Sequence, residues 1–163
     1  MRRLVAVFIL LIGAIPAQAT ETFDDPEALV EAIYDSYKPG AKPEIPESYY
    51  SSRLLVLMAD QRETAQAALF APVSDEAALA GEPVDPFVSD RNVLIANLAI
   101  GEPVILGDRA MVSVSYHNFD QPRLLAVALI REGAGWVVDD VASMGADEHW
   151  LLSWALTYDV FSM

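Results

Sequence analysis

The fold is decided by residues 98–143, which read LAIGEPVILGDRAMVSVSYHNFDQPRLLAVALIREGAGWVVDDVAS. Short apolar segments alternate there with turn-forming residues, among them Gly107-Asp108 and the run 133–135. A glycine at the first position of a two-residue turn readily takes the positive φ that a tight hairpin requires. The pattern therefore predicts a meander of four antiparallel strands, at 99–106, 109–119, 123–132 and 136–142.

The side chains of the predicted strands indicate where the sheet is buried. In the strand at 109–119 apolar and polar residues alternate, so one face is apolar and the other is semi-polar. The apolar set is Val112, Val114 and Tyr116, and the polar set is Ser113, Ser115 and His117. The strand at 123–132 is apolar on both sides, which predicts a central strand covered on both faces.

The segment before the sheet predicts two helices. Asp24 is the expected cap of the first helix, with Glu27 as its capping-box partner and Pro26 in its first turn. Pro39-Gly40 is expected to end this helix. A second helix is expected at about 47–64, where apolar residues recur at helical spacing.

A third helix is expected after the sheet. Asp147 can cap it. The residues that would share its apolar stripe are Leu151, Trp154, Ala155, Tyr158 and Phe161. Two helices, a sheet and a final helix place the chain in the α+β class, with a curved sheet of about four strands wrapped by the N-terminal helices.

Residues 71–90 differ in composition from the predicted helices and strands. Three prolines interrupt this stretch, and its acidic residues, Asp85 among them, are balanced by no basic residue. The composition predicts a long acidic loop. A loop of this length in a compact domain often serves as a lid or rim of a site, and the alternative is a loop that is simply mobile.

The N-terminus has the pattern of a cleaved secretory signal. Arg2 and Arg3 precede an apolar stretch at 4–15, and small residues follow up to Ala19. The stretch is shorter than the ~20 residues that span a bilayer. We expect residues 1–19 to be removed, leaving a single domain at 20–163 with no membrane span. The expected location is the periplasm of a Gram-negative bacterium.

The composition limits the partners of the chain. It has 24 acidic and 10 basic residues and a net charge of −14, which would repel nucleic acids and anionic lipids. The charge favours a basic protein partner, although acidity also serves solubility alone. Cysteine is absent, so no disulfide can form.

Several motifs resemble those of a known superfamily. They are Asp85-Pro86-Phe87, the segment 116–119 followed by Pro122-Arg123, and the strand 135–141, which reads GWVVDDV. With the order of helices and strands, they resemble exported bacterial domains of unknown function within the nuclear-transport-factor-2-like superfamily. The resemblance implies a cone-shaped α+β fold over residues 24–157. That superfamily includes isomerases and dehydratases that use an Asp or His in the cone, and members that only bind ligands or proteins.

Two residues are candidates for catalysis. Asp139 and Asp140 are adjacent, so in a regular strand they point to opposite faces and only one can enter a cavity. Asp140 is a candidate general acid or base if it shares the face of Trp136 and Val138 and that face lines the cavity. The structural alternative is that Asp140 binds backbone amides or an arginine such as Arg123.

His117 is the second candidate. It shares a strand face with Ser113 and Ser115, which invites comparison with a serine-histidine-aspartate arrangement. The chain has no Gly-x-Ser-x-Gly turn, however, so the alternative is a polar residue at a strand end.

No metal or cofactor is expected. His149 lies beside Asp147 and Glu148, but these acidic residues open a predicted helix, where they meet unpaired amides. No second histidine stands at a ligand spacing, so a zinc site is not predicted.

Most aromatic side chains are expected in the core, and a few are candidates for lining a pocket. Tyr34, Tyr116 and Trp136 lie on predicted helix or strand positions, where a tyrosine hydroxyl could orient one polar group of an apolar ligand. Asp85 could contribute a charge from the acidic loop. The residues lead to two hypotheses for function. The first is a binding or protein-interaction module for a basic partner or a small apolar ligand, which could dimerise through its sheet face. The second is an isomerase, dehydratase or hydrolase that uses Asp140 or His117.

Overall fold

The computed structural model describes residues 21–37, 43–69, 85–88, 93–145 and 149–158, which form an α+β fold. Its elements, in chain order, are α1 (Pro26–Asp35), a 3-10 turn (Glu47–Tyr49), α2 (Ser52–Leu69), β1 (Ile95–Ile100), β2 (Val104–Leu106), β3 (Arg109–Asn118), β4 (Gln121–Glu132), β5 (Gly135–Met144), β6 (His149–Leu151) and α3 (Leu152–Tyr158). The predicted signal segment at 1–19 and most of the acidic loop at 71–90 lie outside the described residues.

The six strands form one curved antiparallel sheet in the order β1-β3-β4-β5-β6, with β2 also paired to β3. The meander β3-β4-β5 is confirmed, and β4 is central as its apolar sequence predicts. The expectation of four strands is wrong in two places. The strand predicted at 99–106 is interrupted near Gly101, so that β1 and β2 pair with different halves of β3. Residues 149–151, predicted as helix, form β6 beside β5.

The sheet has two unlike faces, which we call inner and outer. On the inner face, Val112, Val114 and Tyr116 of β3 are buried, as their alternation predicts. The outer-face neighbours on β3 are exposed. The expectation that β4 is covered on both faces is wrong for the outer face. Leu125, Val127 and Leu129 are buried on the inner face, whereas Leu124 is exposed and the other outer-face residues, Ala126, Ala128 and Ile130, are partly buried.

The inner face packs against α1. Helix α1 places Leu29, Val30 and Ile33 in the same buried core as the inner residues of the sheet. The cap of α1 is Asp25 rather than Asp24, because Pro26 begins the helix and the Asp25 carboxylate accepts a 3.0 Å hydrogen bond from the Glu27 amide.

Helix α2 begins later than expected. Residues 47–49 form a separate 3-10 turn, and Ser51 then caps α2 by accepting a hydrogen bond from the Leu54 amide at 3.1 Å. Tyr50 forms a bridge with Val138, which fixes the start of α2 beside β5, on the side away from β4. Of the described helices, none is both long and apolar enough to cross a membrane.

Candidate functional site

Four tyrosines surround Phe87 on the inner side of the sheet, and we call this arrangement the tyrosine cage (Tyr34, Tyr37, Tyr50 and Tyr116). The ring centroids of Tyr34 and Tyr50 lie 6.4 and 6.2 Å from that of Phe87. Phe87 and Val88 are completely buried. The space that the sequence predicts as a pocket is therefore occupied by the chain's own residues.

Three of the four hydroxyls of the tyrosine cage bond to the segment that contains Phe87. The hydroxyls of Tyr34 and Tyr116 donate to one acceptor, the Phe87 carbonyl oxygen, at 2.9 and 3.1 Å. The Tyr37 hydroxyl lies 2.7 and 2.8 Å from the two carboxylate oxygens of Asp85. The Asp85 carboxylate also accepts a hydrogen bond from the Phe87 amide at 2.9 Å, which holds the turn closed.

Burial changes the acidity of three of these tyrosines. It raises the pKa of Tyr34, Tyr37 and Tyr50 well above the ordinary value because the phenolate would be poorly solvated, and the negative charge of Asp85 adds to the effect. These phenols remain neutral donors at physiological pH. They hold Phe87 in place and are poor candidates for proton transfer there.

Trp136, the fourth predicted pocket residue, has polar contacts with a different part of the chain. Its indole nitrogen donates to the Asp24 carbonyl at 3.1 Å, and its backbone amide donates to the Phe23 carbonyl at 2.8 Å. The Arg131 guanidinium carbon lies 4.7 Å from the centroid of the indole ring. Trp136 therefore attaches the segment before α1 to the sheet, whereas Tyr34, Tyr116 and Asp85 meet around Phe87.

A β-bulge in β5 changes the expected positions of the two adjacent aspartates. Leu129 of β4 pairs with Val138, but Ala128 pairs with Asp140, so Asp139 is an extra residue. The bulge reverses the alternation. Asp140 thus does not share the face of Trp136 and Val138, so the condition for its role as a general acid or base is not met.

Both carboxylates reach the same arginine, Arg53 of α2. The Arg53 Nε donates to Asp139 Oδ1 at 3.0 Å, and its Nη2 lies 3.6 Å from Asp140 Oδ2. Ser51 also donates to Asp139 Oδ1, at 2.7 Å. Asp140 accepts hydrogen bonds from the amide and the hydroxyl of Ser153, in the first turn of α3.

This cluster, which we call the Arg53 cluster, joins three elements. The Asp139 carboxyl is partly buried, which by itself would raise its pKa, but hydrogen bonds from Arg53 and Ser51 and the charges of Arg53 and Arg109 hold that pKa below its ordinary value. The structural interpretation of Asp140 as a backbone-binding residue agrees with these contacts. Its arginine partner is Arg53 and not Arg123.

His117 lies on the outer face at the end of β3. It pairs with Ala96 of β1 and Pro122 of β4, and it is exposed, as are Ser113 and Ser115 on the same face. The Ser113 hydroxyl lies close to Gly101, where an added Cβ would come within 2.4 Å of it. The structure thus brings His117 to the exposed face of the sheet and the aspartates to the Arg53 cluster.

The described ranges contain His, Asp and Glu side chains that could in principle bind a metal ion. No set of three or more His, Asp or Glu side chains there could hold a metal ion. His149 of β6 pairs with Met144 of β5, whereas its sequence neighbours Asp147 and Glu148 lie outside the described residues.

An apolar groove of about 290 Å³ lies where β2, β3 and β4 meet, and we call it the outer groove. It is lined by Val104, Leu106, Arg109, Ala110, Met111, Ala128, Leu129, Ile130 and Asp139. Val104, Leu106 and Met111 are exposed by 66, 81 and 50 %. Exposed apolar surface with charged neighbours is typical of a binding surface. The sequence gives no signal for this groove, because its exposure depends on which edge of the sheet is left uncovered in the folded chain.

Comparisons of the chain with protein-family models, with curated protein sequences and with solved structures found no match.

Proposed function

We propose that the protein is a non-catalytic binding module that recognises a partner protein through the outer groove. One observation carries this proposal: the inner face of the sheet is filled by the chain's own Phe87 and Val88, whereas the outer groove leaves large apolar side chains exposed. Apolar side chains that remain in water lower the free energy of a complex that covers them, by about 25 cal/mol for each Å² buried.

The contacts of the two catalytic candidates support binding over catalysis. Asp140 accepts hydrogen bonds from Ser153 and pairs with Arg53, so its oxygens are used in joining α3 to the sheet. His117 is on the exposed outer face, and the tyrosine cage on the inner face is filled by Phe87. A catalytic site requires groups that converge on a space for the reacting atoms.

The resemblance and the charge define the setting that we propose. The protein is an exported, periplasmic member of the nuclear-transport-factor-2-like type, with a cone filled by its own chain. Its net charge of −14 accelerates encounter with a basic partner and makes the association sensitive to salt.

Affinity capture with matched variants tests this function. We would immobilise the chain without residues 1–19, as wild type, as Leu106→Asp and as Val56→Asp, and expose it to envelope extracts at low and moderate salt. Val56 is the control, because it is also an exposed apolar residue, at 59 %, but lies on α2 and is not among the residues that line the groove.

The expected result is a basic protein that wild type and Val56→Asp retain and Leu106→Asp loses, with all three baits folded by circular dichroism. Equal retention by both variants would place the binding surface elsewhere. A small molecule released from the denatured wild-type chain would argue for a ligand in the interior instead.

A further inference from the structure

Strand β2 leaves one of its sides open. It pairs with β3 through Val104↔Met111, Ile105↔Ala110 and Leu106↔Arg109, and no strand in the described part of the chain pairs with its other side. Because Leu106 and Arg109 close a two-residue turn, their backbone groups bond to each other. In an antiparallel ladder the next residue then directs its N–H and C=O outward. That residue is Ile105.

The side chains of β2 connect this open side with the outer groove. Val104 and Leu106 lie opposite Met111 and Arg109, and the same face continues through Ala128 and Ile130 of β4. A strand added to β2 at Ile105 would therefore place its own side chains on either side of that position next to Val104 and Leu106. Apolar residues at those two positions would cover the exposed part of the groove.

The charges near β2 decide between a second copy and a different protein. If two copies paired antiparallel about Ile105, Asp108 of each copy would approach Glu102 of the other. Both residues are exposed. Two like-charge contacts across strands are destabilising, and the overall charge of −14 adds repulsion. A partner segment whose central residue lies opposite Ile105 would place the residues three positions before and after it near Glu102 and Asp108. If both of those residues were basic, both contacts would be attractive.

We propose that β2 is a recognition edge that adds an extended segment of a basic partner protein as a further strand of the sheet. The segment has apolar residues on both sides of its central residue and Lys or Arg three positions away. This inference rests on the proposed function and specifies the partner of the same groove. A small apolar molecule fits less well, because lining side chains that are at least half exposed would leave much of it in water.

Natural edges are protected against unlimited pairing, and β2 has two such features. It is only three residues long, and Pro103 precedes it without an amide hydrogen. The backbone therefore contributes few hydrogen bonds. Specificity depends on the groove and on the flanking Glu102 and Asp108.

A designed peptide tests the proposal. The probe is acetyl-Lys-Thr-Val-Thr-Val-Thr-Lys-amide with a fluorescent label, and its binding to the chain without residues 1–19 is measured by anisotropy at several salt concentrations. The matched peptide has Glu in place of both Lys. We expect the basic peptide to bind at least about tenfold more tightly at low salt, with a difference that shrinks as salt is added.

Backbone pairing is tested separately from charge. Ile105→Pro removes the outward amide hydrogen at a position where an edge strand tolerates proline, so β2 can still pair with β3. We expect this substitution to weaken the binding of the basic peptide by about tenfold or more. N-methylation of the peptide's central residue should weaken its binding to the wild-type chain by a similar factor. The methylated peptide gives the answer even if the proline variant fails to fold.

Several results would overturn the proposal: no binding of the basic peptide, equal binding of the two peptides, or binding that survives both backbone changes. If sedimentation shows a dimer and Ile105→Pro dissociates it, the strand that pairs with β2 comes from a second copy of the chain and not from a different protein. The proposed function fails separately. If Leu106→Asp still abolishes capture of an envelope protein while the peptide does not bind, the groove binds a partner but not as an added strand.

Discussion

On strands β3 and β4, apolar side chains of the inner face are buried, whereas apolar neighbours on the outer face are exposed. Val112 of β3 and Val127 of β4 are fully buried on the inner face. On the outer face of the same two strands, Met111 and Leu124 are exposed by 50 and 41 %. Hydrophobicity does not explain this contrast, since both sets are apolar. The inner set is covered by α1 and the Phe87 segment, so it stabilises the fold, and the outer set is available to a partner.

The largest expected effect tests whether the two faces differ in stability. Phe87→Ala should destabilise the protein by about 3–5 kcal/mol, because it leaves a cavity inside the tyrosine cage. Leu106→Ala, on the outer groove, should change the free energy of unfolding by less than about 0.5 kcal/mol. Urea unfolding followed by circular dichroism measures both. If both variants lost a similar amount of unfolding free energy, the outer groove would contribute to the stability of the fold as much as the inner face does.

The next effect concerns two arginines of the same helix. Arg53→Ala should cost about 1.5–3 kcal/mol, because it removes the hydrogen bond to the partly buried Asp139 carboxylate and the ion pair with Asp140, and leaves the two carboxylate charges adjacent. Arg62→Ala is the control, since Arg62 and Glu47 form a 3.5 Å pair that is mostly exposed, and it should cost less than about 0.5 kcal/mol.

Acid should reduce the difference between Arg53→Ala and wild type. The pKa of Asp139 is lower in the folded chain than in the unfolded chain, so its contribution is present above the unfolded value of about 3.9. The contribution is lost as the pH falls through the lower folded value. Unfolding free energies at about pH 7 and below about pH 3 check this, and an undiminished difference in acid would exclude the ion pair as its cause.

A smaller effect is expected at the tyrosine cage. Tyr37→Phe should cost about 1–2 kcal/mol at neutral pH, because the Asp85 carboxylate loses the hydrogen bond from the phenol. Since burial and Asp85 raise the pKa of Tyr37 in the folded chain, its contribution is present below the unfolded value of about 10 and is lost as the pH rises. The variant should therefore lose stability less steeply than wild type above about pH 10. A rise in tyrosinate absorbance before unfolding that is larger in wild type than in Tyr37→Phe would contradict this.

The smallest effect has the opposite sign and lies in the turns between strands. Gly107 and Gly133 have φ of 64° and 58°, and Phe119, in the equivalent place between β3 and β4, has φ of 54°. A residue with a side chain is strained there, so Phe119→Gly should stabilise the protein by about 0.5–1 kcal/mol. Gly133→Ala should destabilise it by about 1 kcal/mol, although an added Cβ would meet nothing within 4 Å. Opposite shifts in the unfolding midpoint check the pair.

The elements predicted well are those with a local signal. The hairpin turn at Gly107-Asp108, the alternation along β3 and the central position of β4 all follow from neighbouring residues. The cap of α1 had a local signal too. Pro26 takes the first helical position, which makes the residue before it, Asp25, the cap.

The features that were missed depend on distant residues. Arg53 lies 86 residues from Asp139, and nothing near the aspartates indicates the bulge that turns both toward it. Phe87 follows acidic residues in a proline-containing stretch, so composition predicts exposure, yet contacts with Tyr34 and Tyr116 bury it. Of the predicted pocket residues, the structure brings three together, and the fourth, Trp136, makes its polar contacts with Phe23 and Asp24.

The extra residue in β5 also affects how this chain should be aligned with others. Before Asp139 the inward residues carry even numbers, Trp136 and Val138, and after it they carry odd numbers, Val141 and Ser143. In a homologue with one residue fewer in this strand, every second residue would point inward along the whole strand, without a change from even to odd numbers. Its two aspartates would then separate to opposite sides, and an arginine equivalent to Arg53 would retain only one of them. Gap placement at this position therefore determines whether a relative preserves the junction between α2, β5 and α3.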